Sequence, residues 1–221
     1  MTKADQLSQL YADLESKAQL LPLATTASDI IPGEGSPDAE MMFIGEAPGY
    51  HETVERRPFV GRSGQLFRQT LVSVGISETD VFISNIVKAR PPDNRDPLPT
   101  EIAAYKPYLN QEIDIIAPIL VVTLGRYSMA KFLPEVKVSQ VHGRLHKIRW
   151  NNRSLYVLPM YHPAAALRAT QVKASFIADF AKLPKVVQWI KDQVEDQQLE
   201  TDVKELLLWS SYYCYYLFWQ A

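Results

Sequence analysis

The chain has one cysteine, Cys214, in 221 residues. A lone thiol excludes an intrachain disulfide framework and any metal site made of cysteines alone. A dominant charge is also missing. With 23 basic and 25 acidic residues the net charge is −2, so no global field points to nucleic acid. No basic segment followed by an apolar run opens the chain, so no secretory signal is read and the cytoplasm is the expected compartment. No internal repeat occurs. The most apolar run, 206–221, is too short and too rich in tyrosine for a membrane span.

What is present suits one α/β domain with appendages: 47% of the residues are hydrophobic, enough for a core. Charge is unevenly spread. From Arg126 to Lys173 there are nine basic residues and one acidic, Glu135. Such a segment suits a phosphate-contacting face, or a solvated one paired with acids elsewhere. Leu7, Leu10, Tyr11, Leu14 and Ala18 are spaced for one face of a helix over 3–20. Strands are expected at 41–44, 81–83 and 119–124, with a hairpin formed by 144–150 and 155–158 around Asn151-Asn152. Helices are expected at 65–74, at 101–116 with Thr100 as N-cap, and at about 164–169 and 174–192. This alternation implies a three-layer α/β/α fold with a central, mostly parallel four-stranded sheet. The expected domain covers 1–194. An acidic linker and an aromatic tail follow over 195–221. The tail reads as a C-terminal helix packed on the domain or on a second copy, which would make a homo-oligomer. Its Trp and Tyr also suit an interfacial anchor.

Two loops stand out. Gly45-Glu46-Ala47-Pro48-Gly49 follows the apolar run 41–44, and His162-Pro163-Ala164-Ala165-Ala166-Leu167-Arg168 follows the apolar run 155–160. Each reads as the exit of a strand, where open α/β sheets bind ligands. Between them lie Arg57-Pro58-Phe59-Val60-Gly61-Arg62-Ser63-Gly64 and Ser84-Asn85-Ile86-Val87-Lys88. With Pro32–Ala39, Arg90–Arg95 and Leu124-Gly125, these segments resemble the family 4 uracil-DNA glycosylases over about residues 18–190. The resemblance implies a uracil-DNA glycosylase-like fold, uracil-containing DNA as partner and base-excision repair as role.

Excision requires that a base leave the stack, be read, lose its glycosidic bond and be replaced in the duplex. Each step has a candidate residue. Phe59 could stack on the flipped base, and the Asn85 amide matches the N3–H and O4 of uracil. Read alone, Phe59 is a core residue and Asn85 a turn former. Glu46 and Glu52 are carboxylates that could stabilise a cationic sugar and orient water, with Glu52 the expected water-positioning group. His162 could donate to uracil O2, or simply form a His-Pro turn. Leu167 could wedge into the vacated stack or begin a buried helix. Arg168, with Arg62 and Ser63 in the Gly61–Gly64 turn, could hold phosphates. The resemblance further places Gly45, Glu46 and the backbone around Ala47 in the uracil pocket. Ala47 stands where family 1 enzymes carry a catalytic Asp.

The chain also departs from the pattern. Family 4 enzymes hold a [4Fe–4S] cluster on four cysteines, and those positions here read Ala18, Leu21, Ala89 and Tyr105. The spacing is kept and all four thiolates are replaced, so no metal and no cofactor are expected. A small hydrophobic cluster in the vacated space is expected instead, with Leu and Tyr burial contributing on the order of 3–5 kcal/mol. The Pro91–Pro99 loop has no histidine to bond the sugar covalently, and no lysine is placed for a Schiff base. Plain hydrolysis is therefore expected. The alternatives are a glycosylase for another deaminated or modified base, and a non-catalytic DNA-binding module.

Overall fold

The computed structural model describes residues 1–193, and the aromatic tail with Cys214 lies outside the described residues. The chain divides into two compact units, Met1–Leu183 and Pro184–Ala221. Of the second unit 184–193 are described, and they are helical.

The first unit is built on a sheet of six strands rather than four: β1 (Glu34–Gly35), β2 (Met41–Gly45), β3 (Val81–Asn85), β4 (Leu120–Leu124), β5 (His146–Trp150) and β6 (Arg153–Met160). Their spatial order is β1-β3-β2-β4-β6-β5. The expected four-stranded sheet is the parallel centre, β3-β2-β4-β6. Antiparallel edges extend it: β1 on β3, and β5 on β6 through the hairpin at Asn151. β1 is only two residues long and shows no periodicity that a sequence reading could detect.

β2, β3 and β4 are buried along their whole length, and β6 from Leu155 to Met160, which requires cover on both faces. The helices supply it: α1 (Lys3–Ser16), α2 (Tyr50–Glu55), α3 (Arg62–Ser73), α4 (Pro99–Ile116), α5 (Arg126–Ala130), α6 (Val138–Val141), α7 (Pro163–Ala166) and α8 (Thr170–Phe180). β2 shows the two-sided packing most directly. Met42 and Ile44 join a cluster with Leu14 of α1 and with Leu109 and Ile113 of α4. Phe43 faces the other way, 5.1 Å from the Phe67 ring of α3 and 6.0 Å from the Phe180 ring of α8. Alternate residues of a strand point to opposite faces, so one short run serves both layers.

Several boundaries move. α1 stops at Ser16 and gives way to a single 3-10 turn over Ala18–Leu20. α4 begins at Pro99, not after Thr100. Leu98 is its N-cap, and the Leu98 amide donates to Glu101 Oε2 (2.7 Å). Proline at the first helical position costs no hydrogen bond, which favours that start.

The four positions discussed for cluster ligands lie together. Ala18, Ala89 and Tyr105 are buried in the α1/α4 core, and Leu21 packs against it. The Tyr105 hydroxyl donates to the Pro22 carbonyl (2.6 Å), tying α4 to the turn after α1. The same layer buries an ion pair. Lys88 Nζ contacts Ser84 and lies 2.6 Å from Glu112 Oε2, while the Tyr11 hydroxyl donates to Glu112 Oε1 (2.7 Å). Burial lowers the Lys88 pKa, and the Glu112 charge opposes that shift.

Tyr105→Phe keeps the ring and strands the Pro22 carbonyl. It is expected to lower unfolding free energy by about 1–2 kcal/mol in urea titration, and Tyr105→Ala by about 3–5 kcal/mol. Equal stability of Tyr105→Phe and the parent would show that the hydroxyl bond is not a staple.

Candidate active site

All four parallel strands deliver a residue to one edge of the sheet. Glu46 follows β2, Asn85 ends β3, Gly125 follows β4 and His162 lies just beyond β6. The register aligns these ends: Gly45 pairs with Asn85, and Leu124 with Met160. The chain passes from β2 to β3 on one side, then crosses to β4 on the other. The carboxyl edge at β2 is therefore a topological switch point, where a crevice opens.

A cleft of about 1040 Å³ occupies this edge. Glu46, Ala47, Glu52, Phe59, Asn85 and His162 line it, as do Arg62, Ser63, Leu167 and Arg168. Gly45 lies buried beneath it. A Cβ at Gly45 would overlap both the Phe59 ring and Asn85 Oδ1, so glycine lets the two meet at the strand end. Asn85 is buried, yet its side-chain amide has no hydrogen-bond partner among the described residues. A buried amide facing a cleft without a partner is suited to a polar ligand that supplies one.

Phe59 adopts φ +56°, a left-handed conformation costly for a side chain of this size. Its surroundings enforce it. Arg68 Nε donates to the Phe59 carbonyl (2.9 Å) and Arg68 Nη2 to the Pro58 carbonyl (2.7 Å). Arg68 itself is fixed by ion pairs with Glu34 and Glu78. Glu52 holds the other side. Its Oε1 accepts from the amides of Val60 (3.0 Å) and Gly61 (2.8 Å), and its Oε2 from Gly49 (3.1 Å). Both oxygens of Glu52, the expected water-positioning group, accept from backbone amides, so its carboxylate closes the 49–61 segment.

Glu46 is placed differently. Its Oε1 accepts from the Tyr127 amide at the start of α5 (3.1 Å). Burial raises its pKa, partly offset by that amide. Gly125, at φ +105°, gives the carboxylate room, because a Cβ there would overlap Glu46 Oε1. His162 is the N-cap of α7, with Nδ1 accepting from the Ala164 amide (3.1 Å). An accepting Nδ1 places the proton of the neutral ring on Nε2. Burial, then the Arg168 charge, lowers the His162 pKa to about 4. The imidazole is therefore neutral at pH 7. Its ring centroid lies 6.2 Å from that of Phe59.

At the rim, Leu167 is 44% exposed, so it does not face the core. Arg62 and Arg168 are exposed and carry no ion pair among the described residues. The basic segment 126–173 does not form one face. Of its nine basic residues only Arg126 and Arg168 line the cleft. Arg153 donates to the Pro118 carbonyl (2.7 Å), and burial pulls Lys131 down to about 8. Gly125, the Tyr127 amide and Arg68 were not singled out as site residues from the sequence. A glycine directly after a buried strand was the available signal for Gly125.

An aromatic face, an unpaired amide and a neutral imidazole donor at a switch point define a protein that receives a planar, polar ring. The chain belongs to the Uracil DNA glycosylase superfamily, whose family model matches residues 32–185. It is 41% identical over 187 residues to the type-4 uracil-DNA glycosylase of Sulfurisphaera tokodaii, covering 81% of this chain and 84% of that protein. It is 39% identical over 184 residues to the type-4 enzyme of Saccharolobus solfataricus (80% and 85%). With the type-4 enzyme of Thermotoga maritima the identity is 38% over 168 residues (76% and 87%).

The residues present do not fit the iron–sulfur cluster of family 4. The four positions offer no thiolate, and the Tyr105 ring and hydroxyl are committed to the core. Among the described residues no group of three or more His, Cys, Asp or Glu could hold a metal ion. Nor is any helix among them long and apolar enough to cross a membrane.

Glu52→Gln puts an amide nitrogen against backbone donors. It is expected to cost about 2–3 kcal/mol in urea unfolding, because bonds to a charged acceptor are lost. A variant as stable as the parent would remove Glu52 as the closure of the 49–61 segment.

Proposed function

We propose that this cleft hydrolyses the N-glycosidic bond of uracil in DNA, leaving an abasic site and free uracil. The observation that carries this reading is the unpaired Asn85 amide beside the Phe59 ring, opposite a neutral His162. Uracil is planar, which suits Phe59, and its O4 and N3–H complement the donor and acceptor of one amide.

In the reaction the C1′–N1 bond breaks and uracil departs with the electron pair. Water adds its oxygen to C1′, and its proton balances the leaving group. Positive charge grows on the sugar and negative charge on uracil O2. His162 Nε2–H is the donor for O2. A neutral imidazole does this without transferring its proton to the base, as an oxyanion-hole donor does. Glu46 is the carboxylate for the sugar and the attacking water, because it lines the cleft and its hydrogen bond to the Tyr127 amide runs through Oε1. Glu52 acts through Phe59 and Gly49 and is a positioning residue. Ala47 contributes backbone and room where family 1 enzymes have an Asp. Leu167 is the wedge that replaces the base, while Arg62, Ser63 and Arg168 contact the strand.

A DNA substrate for this site follows from the family. The compartment is a separate proposal, as are the oligomeric state and any tethering or assembling role of the 195–221 tail, which truncation after Gln193 would test.

The direct experiment is cleavage of a labelled strand with a single uracil, developed with alkali. Cleavage at uracil and not at thymine or cytosine is expected, and absence of cleavage by folded protein would overturn the reading. His162→Ala is expected to lower kcat about 10²–10³-fold. The pH profile separates the two groups. Ionised Glu46 is the working form and its pKa is raised, so activity should climb with pH through a value above the ordinary carboxylate range. That limb should vanish in Glu46→Gln. His162 should contribute no limb near 6.5, and in an NMR titration its ring should stay neutral until about pH 4.

A further inference from the structure

The cleft is larger than one pyrimidine requires, since volumes up to about 1,000 Å³ hold drug-sized ligands. Tyr50 and His51 line the same cleft as Phe59, Asn85 and His162. Tyr50 opens α2 and is 58% exposed, so its ring face is open to a stacking partner. Its ring is held on two sides. The Arg90 guanidinium lies 5.4 Å from its centroid, and the His51 ring meets it nearly edge-on at 5.6 Å. Arg90 is itself oriented, its Nε donating to Asn94 Oδ1 (2.7 Å). Among the described residues Arg90 has no carboxylate partner, whereas the nearby Arg95 and Arg126 are paired with Glu101 and Asp96.

An exposed aromatic ring beside an unneutralised guanidinium, in the cleft that takes the flipped base, has the chemistry of a single-strand stacking platform. We propose that Tyr50 stacks on the base of the nucleotide next to the uracil in the same strand, and that Arg90 holds its phosphate. This rests on the reading of the cleft as a DNA site and extends it. The enzyme then grips two consecutive nucleotides without needing a complementary strand, and any base serves as the neighbour because every base has a π-face.

The test is equilibrium binding, by fluorescence anisotropy, of a single strand whose one uridine is 2′-fluorinated to resist cleavage. Companion strands carry an abasic residue on the 5′ or on the 3′ side of that uridine. Removing the neighbouring base on one flank is expected to weaken binding to the parent by about 5- to 100-fold. Tyr50→Ala should bind the intact strand that weakly and ignore the abasic flank, while Tyr50→Phe should behave as the parent. Arg90→Ala should reduce the slope of log affinity against log salt by about 0.7, one single-strand phosphate. A parent that fails to bind or is indifferent to both flanks, or a Tyr50→Ala variant that keeps the flank sensitivity, would overturn the proposal. Loss of cleavage with this binding pattern intact would sink the hydrolytic reading and leave the platform standing.

Discussion

The Glu52 carboxylate gathers three backbone amides, from Gly49, Val60 and Gly61, closing a segment whose regular structure is the short helix α2. Much of the cleft depends on that junction. It fixes the turn after β2, shapes the start of α3 and helps impose the left-handed conformation of Phe59. A ring in that conformation would relax if its flanking amides were free. The anionic acceptor makes the hydrogen bonds strong, and burial shields them from competing water. Arg68 completes the clamp from the opposite side through the Pro58 and Phe59 carbonyls. The Phe59 turn is thus held by two charged side chains, Glu52 and Arg68, from its two sides.

The site separates its electrostatic tasks by environment. His162 and Glu46 both sit where water is scarce, and burial favours the uncharged form of each. For the imidazole that outcome is useful, because the capping bond at Nδ1 leaves the proton of the neutral ring on Nε2. For the carboxylate the cost is partly offset by the Tyr127 amide at the start of α5. Cations are kept to the rim, where Arg62 and Arg168 remain solvated and unpaired. A neutral, preorganised floor under a cationic rim suits a reaction in which the departing base gains charge while the backbone phosphates stay outside.

The α1/α4 layer of the sheet is held by packing at the four positions where the family resemblance places cluster ligands. Ala18, Leu21, Ala89 and Tyr105 lie in or against the α1/α4 core, and the Tyr105 hydroxyl ties α4 to the Pro22 turn. Such a staple depends on no thiolate and no oxidation state. The buried Lys88–Glu112 pair in the same layer links the segment just after β3, which ends at Asn85, to α4. A buried pair is weak evidence for stability, but breaking one partner is strongly destabilising.

The sequence by itself determined the elements and most of the residues that meet. Apolar runs marked the parallel strands, because a strand buried on both faces must be apolar throughout. The polar loops after those runs marked the carboxyl edge, because parallel sheets open there. Ten of the eleven residues singled out line one cleft, and the eleventh, Gly45, lies directly beneath it. The division of labour among them was not legible. Two glutamates six residues apart look alike in a sequence. Only tertiary structure tied Glu52 to the amides of Gly49, Val60 and Gly61 and Glu46 to the start of α5, since hydrogen-bond partners come from chain folding back rather than from spacing. The charge of His162 and the dispersal of the 126–173 basic segment were decided in the same way. Desolvation and ion pairing depend on what surrounds a side chain in space, and that information is spread over strands far apart in the sequence.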